Sequence, residues 1–153
     1  MAVALRAYQA GDFDDLYALD HRCFPRGIAY SKRMLAYFLS MPQGSCIVAV
    51  EGSAIAAFII TEEDVPLGHI LTLDVAESHR RRGLGTQLLL RSEQELAARG
   101  VREIVLETSV ENTAGAAFWQ RHGFQMVRRL KRYDLDRIDA YEMRKNITVS
   151  QSS

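Results

Sequence analysis

The amino-acid sequence predicts one α/β domain, and three observations carry the prediction. Segments of strand-like composition alternate with segments whose apolar residues recur at helical spacing, in the order β-α-α-β-β-β-α-β-α-β-β. Proline and glycine close the two early helices, where neither favours continuation. One strand then runs through a basic, glycine-rich turn, Arg80 to Thr86, directly into a helix. The 153 residues suit a single domain, and neither a linker nor an internal repeat divides them. The expected domain covers 1–148, with 149–153 as a loose tail.

Val3 to Tyr8 reads as the opening strand. Asp12 is placed to cap a helix bearing Phe13, Leu16, Leu19 and Cys23 on one side, which Phe24-Pro25-Arg26-Gly27 interrupts. Ser31 is placed to cap a second helix with Met34, Leu35, Phe38 and Leu39 facing inward, closed by Pro42 and Gly44. Cys46 to Val50 and Ile55 to Thr61 form two strands around a Glu51-Gly52-Ser53 turn. His69 to Val75 is the strand that enters the basic turn. The helix beyond it carries Leu84, Leu88 and Leu96 on one face and stops at Gly100. Glu103 to Ser109, a short helix Thr113 to Arg121, and strands over Phe124 to Tyr133 and Asp139 to Ile147 complete the chain.

Charge excludes some functions and localises others. Lys plus Arg and Asp plus Glu number 19 each, so no global field draws the protein to nucleic acid or an anionic membrane. The basic residues are clustered nonetheless, at Arg80-Arg81-Arg82 and across Arg128-Arg129-Leu130-Lys131-Arg132. Such patches suit phosphates. Cys23 and Cys46 form no CxxC pair, which points to thiols in a reducing compartment rather than to a disulfide framework or a zinc site. No signal peptide or apolar run of about 20 residues is evident, so the expected compartment is the cytoplasm and no membrane contact is expected. No metal is expected either, since His69 and His79 belong to no ligand cluster.

The strand–RRRGLGT–helix junction is the main chemical signal. Two glycines let the backbone turn closely around an oxygen-rich group, and the amides at a helix start favour an anion. The alternative is a capped strand–helix junction beside a solvated charge run. A mononucleotide P-loop is absent, because no GxxxxGK string occurs. A dinucleotide fingerprint needs a third glycine where Leu88 stands.

On these residues the chain resembles the GNAT acetyltransferase superfamily. Arg80-Arg81-Arg82-Gly83-Leu84-Gly85 matches the family's phosphate-loop motif, and GHILTLDVAESH, Gly68 to His79, is similar to its fourth strand and exit. LETSVENTAGAAFWQRHGF, Leu106 to Phe124, resembles its fifth strand, short helix and sixth-strand start. LDHRCFPRG, GHILTLDV and YDLDRIDAYEM are similar to the ribosomal-protein alanine N-acetyltransferases and archaeal N-terminal acetyltransferases. The resemblance implies a splayed mixed sheet with flanking helices and acetyl-CoA as donor. It implies a pantetheine arm between the fourth and fifth strands, and no metal.

The resemblance also implies roles. Backbone groups of Leu73, Asp74 and Val75 meet pantetheine and thioester, with a backbone N–H available to a developing oxyanion. Arg81, Arg82, Gly83, Leu84, Gly85 and Thr86 surround the pyrophosphate, with Arg80 at the entrance. Asn112 stands where the family has an asparagine near pantetheine, and it suits a helix cap equally. Glu107 matches the family's glutamate base, against the plain reading of an exposed strand residue. Trp119 occupies the position of the family's acidic tyrosine. An indole is no proton donor for this step, so Trp119 packs against cofactor or core. Tyr133 or water is left to protonate the departing thiolate. His69 lines the acceptor side or makes a local structural bond, and Phe24, Ile28 and Tyr30 line an acceptor channel or cover the core.

The leading expectation is acetyl transfer to a primary amine, foremost a protein N-terminal α-amine such as that of a ribosomal protein. The alternatives are a small-molecule amine or lysine acceptor, and an acetyl-CoA sensor with little catalysis. Monomer and homodimer are both compatible with the sequence.

Overall fold

The structure is a computed structural model that describes residues 2–25, 28–131 and 138–147. The predicted tail, Arg132 and Tyr133 lie outside the described residues. Seven strands, β1 (Val3–Ala7), β2 (Gly44–Glu51), β3 (Ala54–Asp64), β4 (Leu67–Val75), β5 (Glu103–Ser109), β6 (Gln125–Leu130) and β7 (Ala140–Asn146), form one sheet. Their order is β1-β2-β3-β4-β5-β7-β6, and every neighbouring pair is antiparallel except β4 with β5. Four helices flank the sheet: α1 (Phe13–Cys23), α2 (Lys32–Ser40), α3 (Leu84–Ala98) and α4 (Thr113–Arg121). The GNAT architecture expected from the sequence is the one observed. No described helix is long and apolar enough to cross a membrane.

The sheet buries both faces, which explains the apolar runs of its central strands. On one side Leu16 and Leu19 of α1 and Leu35 of α2 pack on Val48, Phe58 and Ile60. On the other, Leu84, Leu88, Leu89 and Leu96 of α3 lie on Ala49, Ile59, Ile70 and Ile104. The leucine spacing in α3 gives one continuous stripe, as the periodicity predicts. Gly100 and Gly123 end the segments after α3 and α4 with positive φ, +99° and +91°, where a side chain is strained.

Several local expectations change. Asp12 does not cap α1 through its side chain. A short 3-10 turn, Ala10–Asp12, precedes the helix, and the Asp12 carboxylate instead takes the Arg6 guanidinium at 2.8 and 3.0 Å and the Gln9 N–H at 2.8 Å. That bidentate pair holds Asp12 below the usual carboxylate range. Ser31 does cap α2, accepting from Met34 N at 3.1 Å. Met34 is 44% exposed rather than inward, because it lies one position off the Leu35 stripe. β3 runs to Asp64, and Val65-Pro66 makes the tight turn into β4.

Candidate active site

β4 and β5 create the site by parting. They pair at Leu67 with Glu103, Gly68 with Ile104 and His69 with Val105, and no further. Beyond that point each keeps its antiparallel neighbour on the other side, β3 or β7, so the two facing edges are left open to each other. An unpaired pair of strand edges inside a sheet offers backbone N–H and C=O groups to a ligand arm. The resemblance places pantetheine in this gap.

A bulge prepares the β4 edge. Ile60 pairs with Thr72 and Thr61 with Ile70, so Leu71 is the extra residue. Its carbonyl accepts the Tyr30 hydroxyl at 2.8 Å, which ties the α1–α2 connection to β4. Beyond the bulge Leu73 packs toward α3 while Asp74 turns toward α1. Val75 O accepts from the Cys23 thiol at 3.4 Å and from Arg80 Nε at 3.2 Å. Of the three residues expected to line pantetheine, Val75 therefore has its carbonyl engaged by the protein.

Asp74 was legible only as a backbone contact, yet its side chain is the more unusual feature. It is 1% exposed, and Oδ1 accepts from Thr72 Oγ1 at 2.5 Å. Oδ2 takes no hydrogen bond from any described N–H or hydroxyl. Its neighbour there is the carboxyl of Asp20 on α1, also buried, whose Oδ2 accepts the Tyr30 N–H at 2.7 Å. Burial and the second acid push Asp74 well above the usual carboxylate range. An Asp74 carboxyl that keeps its proton can donate it to the Asp20 side chain.

The basic turn has the backbone an anion needs. Gly83 precedes α3 with φ +78°, and Arg81 is a non-glycine residue held at φ +65°. Gln87 is bonded to Gly83 O, and the amides of Leu84, Gly85 and Thr86 precede the first helical bond. The two glycines serve different ends. A Cβ on Gly83 meets nothing within 4 Å, so glycine is required there by backbone conformation. A Cβ on Gly85 meets the Phe118 ring at 3.3 Å, so glycine is required there for contact between α3 and α4.

Arg80 and Arg82 turn to different partners. Arg80 lies back along Val75 and Cys23. Arg82 donates to Glu51 Oε2 at 2.9 Å, and His79 holds Glu51 Oε1 at 3.0 Å, so the end of β2 anchors the turn. Both partners lower the Glu51 pKa. Thr86 Oγ1 lies 3.0 Å from His122 Nε2. Asn112 caps α4, its Oδ1 accepting from Gly115 N at 2.9 Å. Trp119 is 8% exposed between Phe118 and Phe124, at ring separations of 5.0 and 5.4 Å.

Glu107 stands on the face opposite α3, two residues past the last β4–β5 pair. Its Oε1 lies 2.7 Å from His69 Nε2. His69 Nδ1 in turn lies 3.3 Å from Glu62 Oε1 on β3. Burial lowers the His69 pKa, but the Glu107 and Glu62 carboxylates outweigh it and the net shift is upward. The sequence suggested Glu107 and left His69 open; Glu62 and the Asp20–Asp74 pair were missed. Glu62 had a readable signal: a two-residue turn at Val65-Pro66 sets Glu62 directly across from His69. The parallel register that brings His69 to Glu107 had none. Among the described residues, no group of three His, Cys, Asp or Glu side chains is placed to hold a metal ion.

With a sheet splayed at β4 and β5, an amide-rich turn beside the gap and a carboxylate–imidazole pair at its mouth, the molecule has the parts of an acyl-transfer scaffold. Residues 13–124 match a model of the acetyltransferase (GNAT) family, and the chain belongs to that family. It is 34% identical to N-alpha-acetyltransferase 30 of Schizosaccharomyces pombe over 117 residues, covering 73% of this chain and 78% of the relative. The Xenopus laevis protein of the same name is longer, and the match spans 44% of it at 28% identity. Two solved structures share the fold. The ribosomal-protein-S18-alanine N-acetyltransferase of Escherichia coli superposes with a TM-score of 0.86 at 23% identity, covering 99% of this chain and 98% of that one. Ard1 of Thermoplasma volcanium gives 0.87 at 21% identity, covering 96% and 99%.

Proposed function

We propose that this chain transfers the acetyl group of acetyl-CoA to the α-amine of a protein N-terminus, with Glu107 as base and His69 as its partner. The observation that carries this reading is the 2.7 Å contact between Glu107 Oε1 and His69 Nε2 at the mouth of the β4–β5 gap. Acetyl-CoA, when bound, supplies an activated acetyl carbonyl. The residues that would hold it fit the group. The β4 edge at Leu73 and Asp74, continuing to Val75, receives the pantetheine arm, and the amides of Arg81 through Thr86, with Arg80 and Arg82, receive the pyrophosphate. Asn112 and Trp119 stand on the α4 side, where their capping and packing fix the helix.

An acceptor amine attacks only after losing a proton, and Glu107 is the proposed base for it. The acidity of the acceptor favours an α-amine. Its unperturbed pKa of about 8 is some 2.5 units below lysine, so deprotonating it near neutral pH costs about 3 kcal/mol less. The name of the fission-yeast relative supports the same choice. Tyr133, outside the described residues, is the proposed acid for the departing thiolate, with water as the alternative. The reaction is placed in the cytoplasm, in keeping with the unpaired Cys23 and Cys46.

The test is a panel of peptides with free N-termini (ribosomal-protein N-termini among them), N-terminally blocked lysine peptides and polyamines, assayed with acetyl-CoA. Acetylation of free N-termini alone is the expected result. Turnover of polyamines or blocked lysine peptides alone would reassign the acceptor, and acetyl-CoA binding without turnover would make the chain a sensor.

A further inference from the structure

An L-residue at positive φ is strained, so the surrounding fold must hold it there. Among the described residues Arg81 is the only non-glycine in that state, at φ +65°, and it lies in the middle of the basic turn. Gly83, two residues on, is left-handed at +78° and needs no support, because glycine adopts that region freely. Arginine does not. An unsupported turn would relax out of the left-handed region at Arg81 and swing the amides that follow it.

Glu51, the last residue of β2, grips the turn on both sides of Arg81. Its Oε1 accepts from His79 Nε2 at 3.0 Å and its Oε2 from Arg82 Nη2 at 2.9 Å. The hydrogens are consistent along this chain. A carboxylate can only accept, so His79 Nε2 carries the hydrogen. Nδ1 of the neutral ring is then a lone pair, and it accepts the Ser78 hydroxyl at 2.8 Å. His79 and Arg82 together hold Glu51 below the usual carboxylate range, so it stays charged near neutral pH.

The grip comes from the sheet, not from the turn itself. Glu51 pairs with Ala54 on β3, and Ala57 of the same strand pairs with Val75 on β4. Ala76 N still donates to Ala56 O at 2.8 Å, so the ladder is continuous up to the short helical turn that carries His79. Arg80 takes no part in it, since its Nε donates to Val75 O.

We propose that Glu51 is a positioning residue for acetyl-CoA: by joining His79 to Arg82 it holds Arg81 in the left-handed conformation and so sets the amides of the turn before the pyrophosphate arrives. The inference rests on the reading of this turn as the pyrophosphate cradle. Glu51 makes no bond to the cofactor in this role. Its effect on affinity comes from the conformations that the empty turn is denied.

The experiment measures acetyl-CoA affinity by calorimetry for Glu51→Ala in three backgrounds: Arg81, Arg81→Ala and Arg81→Gly. Alanine removes the charge at position 81 and keeps the strain, whereas glycine removes both. Glu51→Ala is expected to weaken binding about three- to tenfold with Arg81 and with Arg81→Ala, the range of a small charged network. In Arg81→Gly the loss is expected to shrink to about twofold, because glycine divides about evenly between positive and negative φ. KM for a peptide acceptor should not move. Glu51→Gln, which keeps the volume and one acceptor oxygen, should fall between Glu51→Ala and wild type, and it replaces Glu51→Ala in the same comparison if melting curves show that variant unfolded. An equal loss in all three backgrounds overturns the inference, because Glu51 then acts through charge alone. Tighter binding in Glu51→Ala overturns it too, as does a matching loss of peptide affinity. A wild-type chain that binds no acetyl-CoA removes the cradle, and this role with it. A wild type that binds it while Glu51→Ala matches it removes the role alone.

Discussion

His69 Nε2 and Glu107 Oε1 meet at 2.7 Å just where β4 and β5 cease to pair, so the pair guards the opening that the splayed strands create. If Glu107 accepts the amine proton, Glu107→Gln keeps the side-chain volume but removes the acceptor. Acetyl transfer in single turnover should fall by about 100-fold to 10,000-fold, with acetyl-CoA affinity nearly intact. A rate within a few-fold of wild type would remove Glu107 as the principal base.

The basic turn separates backbone conformation from packing. Gly83→Ala adds a Cβ in open space but at φ +78°, a strain of about 1–2 kcal/mol. Gly85→Val instead drives a side chain against Phe118. Both should weaken acetyl-CoA binding by calorimetry and lower the melting temperature, Gly85→Val the more because it also disturbs the α3–α4 contact. Unchanged affinity in both folded variants would show that the turn is not the pyrophosphate cradle.

The buried Asp20–Asp74 pair makes stability depend on pH in an unusual direction. An ordinary paired carboxylate has a lowered pKa and loses its contribution as pH falls. Asp74 is raised, so its contribution is complete below the unfolded value of about 3.9 and is lost as pH climbs through the folded value. Asp74→Asn presents an N–H to Asp20 without needing a proton. It should match or exceed wild type at pH 8 by about 1–3 kcal/mol, with the advantage shrinking toward pH 4. Urea midpoints at the two pH values decide this, and an equal loss at both would contradict a proton held on Asp74.

Trp119 fills the core between Phe118 and Phe124. Trp119→Ala should cost about 3–5 kcal/mol of stability by chemical denaturation. A loss below about 1 kcal/mol would mean that the indole serves the ligand rather than the fold.

What could be read from the sequence followed from local chemistry. The β5 and α4 boundaries match the structure because β-branched alternation, the Asn112 cap and Gly123 all act within a few residues. Glu107 and the basic turn were legible for the same reason, each lying within a short motif. The His69 contact was not, because it depends on the parallel register of strands 38 residues apart in the chain. Asp74 is read from the sequence only for its backbone groups, because nothing local marks its side chain. Its partner Asp20 sits on α1, and only the packing of α1 on β4 brings the two together. Met34 was misplaced because helical periodicity fixes a face but not its width.

The most direct test of the central claim is the site of acetylation on one peptide that offers both a free α-amine and an internal lysine. After incubation with the chain and acetyl-CoA, fragmentation by mass spectrometry locates the added acetyl group. The account predicts acetylation on the N-terminal nitrogen, with loss of that product in Glu107→Gln. Acetyl on the lysine nitrogen, or on neither amine while acetyl-CoA binds, would contradict it.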